Sequence, residues 1–400
     1  MFKKKAKNSN ENIKTEELKK KKSGSTRPKK SLFSGSKSFG KGAKPLYKQK
    51  GNKFVAIDLG NYAIKFAVGS FSGGRVKVDK LFRERLPENL YNDGAISDER
   101  RMIDLIRGEL SKRSIKDVDM IVSFESTLII KRKLTIPVLN EIETKELISF
   151  ELGEYLGINS DDYIIQYKIL KEYQKDGPKR DIQLDAVPKV IAKKIFDLLK
   201  NAKYNPCILG LQSNFLEKMC TKNKINGDMD LASQTFAVVD IGNSGMVINI
   251  FEKGENVFNR IIKSTESIRH SLMMELGIDD VASRNLINEF MYKDLLSAGV
   301  SADSNEASGY KAVKDCVDNW SSEIDRVLEY YRSRSVDNKI DKLYIYGGET
   351  MIQGLDEYIG KRITIPTQTV HSFSNVDFAK EINISEIPLY VNPISALIRA

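Results

Sequence analysis

Cysteine and histidine are scarce in this 400-residue chain, which contains three cysteines and two histidines. The cysteines, Cys207, Cys220 and Cys316, stand at spacings that match neither a zinc site nor a disulfide framework. We therefore expect three small, buried, apolar residues in a reducing compartment. With only His270 and His371 available, most histidine-based metal and triad chemistry is removed from consideration.

Long apolar runs are also absent. No stretch approaches the roughly 18 consecutive apolar residues that a membrane-spanning helix needs. The N-terminus lacks the apolar core of a secretory signal, so we expect a cytoplasmic protein. An apolar share of 41% and a charged share of 30% suit a soluble chain with two or three domains.

Acidic residues are rare in the first 50 positions, which hold 17 Lys or Arg and 3 Asp or Glu, a net charge of +14. The rest of the chain holds 47 basic and 51 acidic residues, a net charge of −4. Residues 1–52 have too few apolar side chains to offset the entropy of ordering, so we expect a disordered basic tail with at most a marginal helix over Glu11–Lys22. The tail could bind an anionic membrane surface, nucleic acid or an acidic partner, or serve as a solvated linker.

A repeated motif is the most informative feature that is present. IDLGNYAIK at 57–65 and VDIGNSGMV at 239–247 each place Asp-x-Gly-Asn at the end of an apolar run. Around the first copy, alternation predicts a three-strand meander from Phe54, a helix with Ser97 as N-cap, and the strand DMIVSF. Around the second copy it predicts another meander, helices to about Ser335, the strand KLYIYGG and a helix over MIQGLDEYIGKRI. Two such copies predict a duplicated α/β architecture.

The residues between the two copies follow a different pattern. Residues 124–188 combine RKLTIP, a helix over Glu141–Leu156, and the strands DDYIIQYKILKEYQ and KRDIQLDAVP. This predicts a small α+β insertion. The chain then divides into a first lobe over 53–123, which resumes over 189–232, and a second lobe over 233–400.

The paired hairpins suggest a site for phosphate and metal. We expect Gly60 and Gly242 to permit positive φ and close approach of backbone N–H groups to an anion. Asp58 and Asp240 would face each other across the gap between the lobes, and Mg²⁺ held through water would relieve their repulsion. Lys65, on the returning strand, could reach the phosphates as a point charge.

The order of these motifs resembles that of the actin-like (ASKHA) superfamily. DLGNYAIK is similar to its first phosphate loop, DIGNSGMVINIF to its second, and YGGETMIQGLDEYI to its adenosine loop. From about Phe54 to Ala400 the chain resembles the PilM family of type IV pilus assembly, an FtsA-like subgroup. The insertion TIPVLNEIETKELISFELGEYLGINSDDYIIQYKIL and the ending VNPISALIRA also fit that family.

The resemblance implies an α/β, actin-like fold of two duplicated ribonuclease-H-like lobes with a small α+β insertion subdomain of the FtsA/PilM type. It also implies ATP and Mg²⁺ as cofactors, with Asp58 and Asp240 holding the metal through water. The implied cofactor-binding residues come from the three loops: Asp58, Gly60, Asn61, Tyr62, Lys65, Asp240, Gly242, Asn243, Ser244, Gly347, Gly348 and Glu349.

The implied partner is the cytoplasmic N-terminal segment of a PilN-like bitopic inner-membrane protein, bound in a groove that involves the insertion. Other pilus-assembly components and a second copy of the chain remain open as further partners, and the protein would lie at the inner face of the membrane. The alternatives are an FtsA-like filament protein that uses the basic tail as its membrane anchor, and an active actin-fold ATPase.

Three departures from the family pattern bear on catalysis. The first loop has no hydroxyl residue after its glycine, no glycine pair precedes the helix after the second meander, and Ser283 stands where the family's Glu would be. Hydrolysis needs a residue that orients the attacking water. Gln212 and Glu266 are conceivable for that role, with packing as the alternative, so we expect at most a weak ATPase.

Overall fold

The computed structural model describes residues 53–398, apart from 175–176, 229–230, 232, 264–266, 291–304 and 337. The basic tail and its expected helix over Glu11–Lys22 therefore lie outside the described residues, as does Glu266. No helix within these ranges combines the length and the apolar character that crossing a membrane requires. Cys220 and Cys316 are buried as predicted, whereas Cys207 is only half-buried.

The first sheet has six strands in the order β10-β6-β1-β2-β3-β16. Its strands are β1 Lys53–Leu59, β2 Ala63–Ser72, β3 Arg75–Arg85, β6 Asp119–Phe124, β10 Asn205–Leu211 and β16 Val376–Phe378. The short hairpin β4 Tyr91–Asn92 and β5 Ala95–Ile96 follows β3. The predicted meander is confirmed, and Gly73 and Gly74, at φ of 58° and 77°, form its second turn.

Helices α1 Glu99–Lys112 and α3 Lys189–Asn201 cover one face of this sheet. The expected N-cap of α1 is wrong by one residue. Asp98 Oδ1 accepts a hydrogen bond from Arg101 N at 2.9 Å, whereas Ser97 Oγ donates to Asn89 O at 2.7 Å. The carboxylate of Asp98 also suits the positive N-terminal end of the helix dipole.

The second sheet has five strands in the order β13-β12-β11-β14-β15. These are β11 Thr235–Gly242, β12 Gly245–Glu252, β13 Glu255–Lys263, β14 Lys342–Tyr346 and β15 Thr367–Thr369. Its helices are α5 Ile268–Leu276, α6 Asp280–Phe290, α7 Asn305–Ser333 and α8 Leu355–Ile363. Helix α8 begins later than predicted, because Gly354 has a φ of 76° and cannot continue a right-handed helix.

The two sheets share one local topology. Strand β1 is antiparallel to β2 and parallel to β6, and β11 is antiparallel to β12 and parallel to β14. The register places Asp58 opposite Lys65 in the first copy and Asp240 opposite Val247 in the second. Only the first acidic residue therefore has a lysine beside it on the neighbouring strand.

A third sheet lies in the segment between the two copies of the motif. Its strands β7 Ile130–Pro137, β8 Tyr163–Tyr173 and β9 Lys179–Pro188 pair in the order β7-β9-β8. Helix α2, Glu141–Leu156, has the predicted bounds. Asn140 begins it with a capping box, in which Asn140 and Glu143 satisfy each other's backbone N–H groups.

A central apolar core joins the two large sheets. It contains α4 Gln212–Lys222, the 3₁₀ segment Ile384–Tyr390 and α9 Val391–Ala396, together with side chains from both sheets such as Phe54 and Phe236. At Gly69 on β2, an added Cβ would lie 2.9 Å from Leu397 Cδ1. The residues just after α9 thus pack tightly against the first sheet. Within α9, Asn392 bonds to Asp240 and Tyr346 of the second sheet, so this helix connects the two lobes.

Candidate functional site

Strands β1 and β11 end at one cavity of about 850 Å³ between the two lobes. Every residue that the sequence predicted for cofactor binding lines this cavity except Gly347. The equivalent topology of the two sheets explains the convergence, because each hairpin leaves its strand at the same edge and the central core turns these edges toward each other.

Asp58 is buried at the floor of the cavity. Its Oδ1 accepts a hydrogen bond from Gln212 Nε2 at 2.7 Å, and its Oδ2 lies 3.8 Å from Lys65 Nζ. Burial raises the pKa of this carboxyl, although the positive charge of Lys65 and the amide donors of Gln212 and Asn392 oppose the rise. Of the two residues considered for water orientation, Gln212 is thus buried beside Asp58.

Asp240 has fewer partners. Its Oδ2 accepts a hydrogen bond from Asn392 Nδ2 at 2.8 Å. Tyr346 donates its hydroxyl to Asn392 Oδ1 at 2.8 Å, which orients the amide so that its NH₂ group faces the carboxylate. Burial is the main cause that raises the pKa of Asp240 to about 6, and the negative charge of Asp58 adds to it. A divalent cation between the two carboxylates would offset both the cost of burying the charge of Asp240 and its repulsion by Asp58.

The tips of the two hairpins meet above these carboxylates. Asn61 Nδ2 donates to Ser244 Oγ at 2.8 Å. Neither glycine of the tips has a positive φ, so that expectation is wrong. Instead, an added Cβ at Gly60 would lie 3.0 Å from Ala63 O, and one at Gly242 would lie 3.2 Å from Gly245 O. Glycine is favoured at both positions because each hairpin passes close to its own backbone, and a Cβ there would require a small shift of the facing carbonyl.

The loop after β14 contributes Gly348 and Glu349 to the second lobe's side of the cavity. Glu349 is half-buried, accepts a hydrogen bond from Asn243 Nδ2 at 3.2 Å, and accepts another from Ile268 N at the start of α5 at 3.3 Å. Burial raises the pKa of Glu349, against these hydrogen bonds. Gly347 does not line the cavity, and a Cβ at this position would lie 2.4 Å from Asp240 Oδ1. A Cβ at Gly348 would meet nothing within 4 Å.

Basic side chains surround the mouth of the cavity. Lys263 Nζ contacts Asp93 Oδ2 of the first lobe at 2.6 Å, and Arg269 contacts Asp280 on α6 at 2.7 Å. The ring of Tyr62 lies between two guanidinium groups, 5.3 Å from Arg85 Cζ and 5.7 Å from Arg269 Cζ. Lys65, Arg83, Lys263 and Arg269 line the cavity beside five acidic side chains, so cations are available to a phosphate although the lining as a whole is not positive.

A second cavity of about 350 Å³ shares several lining residues with the first, including Tyr62, Arg269, Gly348 and Glu349. Ile287 and Asn288 of α6 and Met351 and Ile352 form its apolar and amide walls. Ser283 does not line it, because its hydroxyl is buried and donates to Asp280 O at 3.0 Å. Its neighbour Arg284 lines the cavity instead.

The donor set fits a metal held through water. Among the described residues, no group of three or more His, Cys, Asp or Glu side chains could hold a metal ion directly. Two facing carboxylates leave most positions of an octahedral Mg²⁺ to water and phosphate oxygens, which this ion prefers. Glu125 Oε1 at the cavity is buried and has no hydrogen-bond partner within the described ranges, so it is a ready acceptor for such water.

Sequence reasoning missed several residues of the site. Asn392 touches Asp240 from 152 positions away, and Arg269 and Lys263 reach the cavity from elements that carry no phosphate-loop pattern. One signal was available for Asn392, because an asparagine in the apolar ending VNPISALI needs a partner once it is buried.

Comparisons with known proteins bear on the family and the fold of the chain. The sequence model of the family described as type IV pilus assembly protein PilM matches residues 56–265 and 311–391. A solved chain of a PilM-PilN type IV pilus biogenesis complex superposes with a TM-score of 0.70 at 15% identity, covering 86% of this chain and 97% of that chain. The ethanolamine utilization protein EutJ from Carboxydothermus hydrogenoformans superposes with a TM-score of 0.51 at 14% identity, covering 89% and 92%. The expected actin-like fold is thereby confirmed.

Proposed function

The chain belongs to the type IV pilus assembly protein PilM family, and on that premise we propose that it is a scaffold of pilus assembly that binds ATP with Mg²⁺ and a PilN-like protein. The bound part of the partner is the N-terminal segment that such an inner-membrane protein extends into the cytoplasm. The proposal places the chain in the cytoplasm at the inner face of the membrane. The likeness to a solved PilM-PilN complex supports the choice of partner.

One observation carries the nucleotide part of the proposal. Two hairpin tips from duplicated lobes touch through Asn61 and Ser244, directly above two buried aspartates at one cavity. A pair of buried carboxylates with raised pKa values is costly unless a cation binds there. The cavity therefore suits a ligand that brings a divalent cation with it, as a nucleoside triphosphate does.

Each part of the site has a role in holding this ligand. Asp58 and Asp240 would hold Mg²⁺ through water, and the hairpin tips and Lys65 would bind the phosphates. The second cavity offers Ile287, Asn288 and Met351 to the nucleoside. When it is bound, ATP–Mg²⁺ would contact both lobes through its phosphates and its metal ion.

Such a bridge would connect the nucleotide to the partner. A ligand that contacts both lobes favours their closure. The insertion contacts the first lobe through Asn214 and Asp185, whose side chains lie 2.9 Å apart, and through the ion pair of Lys168 and Glu217. We therefore place the PilN-type segment in a groove that involves the insertion, where closure can change its affinity.

Calorimetry tests both parts of the proposal. ATP–Mg²⁺ should bind the wild type, and Asp240→Ala should lose this binding, whereas Asp104→Ala on the exposed face of α1 should retain it. A PilN-type N-terminal peptide should bind, with a different affinity once the nucleotide is present. Absence of peptide heat in both conditions would remove the partner, and equal peptide affinity in both would remove only the coupling.

Gln212 supports a second activity, a weak ATPase. This side chain is 9% exposed, lines the cavity and donates a hydrogen bond to Asp58. It is thus a candidate for holding a water molecule near the terminal phosphate. Slow phosphate release from wild type that is lost in Gln212→Ala, with nucleotide binding retained, would support hydrolysis, and an inert wild type would refute it.

A further inference from the structure

A further cleft, apart from the nucleotide site, lies between the insertion and the second lobe. It has a volume of about 930 Å³. Its walls come from β7 and β9 on one side and from β13 and the C-terminal half of α7 on the other. It shares only Ile261, Ile262 and Lys263 with the nucleotide cavity, so it is a neighbouring but separate surface.

The lining of this cleft carries charge of one sign. Seven lysine and arginine side chains line it, and none of the lining residues is acidic. Three of the seven have carboxylate partners outside the cleft: Lys131 pairs with Glu125, Lys263 with Asp93, and Arg326 with Glu323.

The other four basic residues are Arg132, Lys133, Arg260 and Arg334. None of them forms an ion pair with any residue that the structure describes, and all four are exposed to solvent. The pKa of Lys133 is lowered, because the surrounding protein removes part of the hydration of its ammonium group while the side chain still contacts solvent. Unpaired cations that face each other across a cleft favour an anionic occupant.

The backbone along this cleft is an open strand edge. All eight residues from Asn256 to Lys263 line it. Because successive side chains of a strand point to opposite faces, an unbroken run means that the cleft follows the edge of β13 rather than one of its faces. Strand β13 pairs with β12 alone among the described strands, and Asn256 N donates to Glu217 only at its beginning. Strand β7 is likewise the edge of its own sheet.

Apolar side chains complete the lining. The rings of Phe258 and Tyr330 lie 5.9 Å apart, next to Val257 and Val327. Tyr330 is 57% exposed. A ligand that alternates anionic and apolar groups would therefore find both kinds of contact along β13.

We infer that this cleft binds an extended acidic segment of a partner protein, which adds a strand to the free edge of β13. Strand addition uses the N–H and C=O groups of the open edge, while acidic side chains pair with the four unpaired cations. The chain's own residues 1–50, with a net charge of +14, are repelled by this cleft. A nucleic acid strand would match the charge but has no alternating amide groups for the strand edge.

The test uses a fluorescent Glu-Val repeat peptide matched in length to the nine residues of β13. Fluorescence anisotropy should show binding to the full chain. Arg260→Glu combined with Arg334→Glu should weaken it by about tenfold or more, because two attractive charges become repulsive. The matched control, Arg100→Glu with Arg101→Glu on the exposed N-terminal turn of α1, should bind as wild type.

Two further probes separate charge from strand pairing. A peptide of the same sequence with alternate backbone amides methylated should lose binding, and a single-stranded thymidine oligonucleotide or phosphatidylserine vesicles should bind more weakly than the Glu-Val peptide. Equal binding of the methylated peptide, tighter binding of either other probe through the same arginines, or no peptide binding at all would overturn the inference.

A competition experiment distinguishes this cleft from the proposed binding groove for the PilN-type segment. A PilN-type N-terminal peptide should not displace the Glu-Val probe. If it does, the cleft is the groove for that segment and the separate site is refuted, while the PilN-binding proposal stands. If the PilN-type peptide fails to bind anywhere, the partner proposal fails and the cleft is unaffected.

Discussion

At the scale of single residues, the two buried aspartates are costly to the free protein, because burial raises the pKa of both carboxyls. Asp58 has a glutamine donor and a lysine, whereas the main partner of Asp240 is the amide of Asn392. Burial and the charge of Asp58 raise the pKa of Asp240 to about 6. Residues that lower the stability of the free protein in this way are typical of binding sites.

The first prediction concerns the charge on Asp240. Its pKa rises from 3.8 to about 6 on folding, so the folded state holds the proton more tightly and loses that advantage as the pH rises through 6. At about pH 7.5 we expect Asp240→Asn to unfold with a free energy about 1–3 kcal/mol higher than wild type, although it no longer binds ATP–Mg²⁺. Urea unfolding at several pH values measures the difference.

The gain should shrink as the pH falls through 6 and disappear at about pH 2.5, well below the unfolded pKa of 3.8, where both states of the wild type carry the proton. Asp104→Asn, an exposed carboxylate on α1, serves as the control and should change stability little at either pH. An Asp240→Asn variant that is less stable than wild type at neutral pH would contradict the proposed cost of the buried charge.

The second prediction separates the two glycines after β14. Gly347 has a φ of 115°, and a Cβ there would collide with Asp240 Oδ1 and Ile241 O. Gly347→Ala should therefore lower the free energy of unfolding by about 1–3 kcal/mol. Gly348→Ala, whose Cβ meets open space, should unfold like wild type. Thermal unfolding of both variants decides, and equal midpoints would refute this account of Gly347.

At the scale of elements, one carboxylate at the start of α6 joins this helix to two neighbouring elements. Asp280 at its first residue contacts Arg85 of β3, Arg269 of α5 and Arg284 one turn later. Burial opposes ionisation of Asp280, but the hydrogen bond and charge of Arg85 and the other arginines outweigh it and lower its pKa. One carboxylate thus ties a helix of the second lobe to a strand of the first.

The third prediction removes that carboxylate. Asp280→Asn leaves three guanidinium groups close together without their counter-ion, so α6 should loosen. Hydrogen exchange should become faster over Asp280–Phe290 and remain unchanged in α1. Because the folded pKa is lowered, the wild-type contribution is present at neutral pH and is lost as the pH falls through that value, so the difference should shrink in acid.

Glu289 on the same helix provides the control. It is exposed and forms no hydrogen bond or ion pair with another described side chain, so Glu289→Gln should leave the exchange of α6 unchanged. Similar exchange in both variants would show that the apolar contacts of α6 suffice to hold it.

At the scale of the whole molecule, the two lobes are joined at two levels. The central core packs α4 and α9 between the sheets, and three polar contacts cross the cavity above it. These contacts are Asn61 with Ser244, Arg85 with Asp280, and Lys263 with Asp93. The apolar core is continuous between the sheets. The polar contacts lie near the cavity, so a ligand bound there can add further contacts between the lobes.

The fourth prediction follows from that division. ATP with Mg²⁺ at about 100 times its dissociation constant should stabilise the fold by about 2.7 kcal/mol, since it binds only the folded state. The thermal midpoint of the wild type should rise accordingly. ATP with a chelator should give a much smaller rise, and Asp240→Asn should give none with either. An equal rise with and without the metal would refute the metal role of the aspartates.

Local patterns in the sequence were sufficient for the elements and for most of the site. Alternation predicted both meanders, and the predicted bounds of α2, Glu141–Leu156, are those of the structure. The repeat of Asp-x-Gly-Asn predicted that two hairpins share one cavity, because equivalent strands of duplicated lobes end at equivalent edges. These features depend on neighbours within a few positions, which a single sequence displays directly.

Contacts between distant residues were decided by the tertiary structure alone. Gln212 lies 154 positions from Asp58, and Asn392 lies 152 positions from Asp240, yet each donates to the carboxylate it serves. The basic cleft likewise exists only because β7 and β13, each unremarkable alone, are placed opposite each other. Periodicity and capping fix where a strand or helix begins, but which side chains meet across the core depends on how whole elements pack, and no local pattern carries that information.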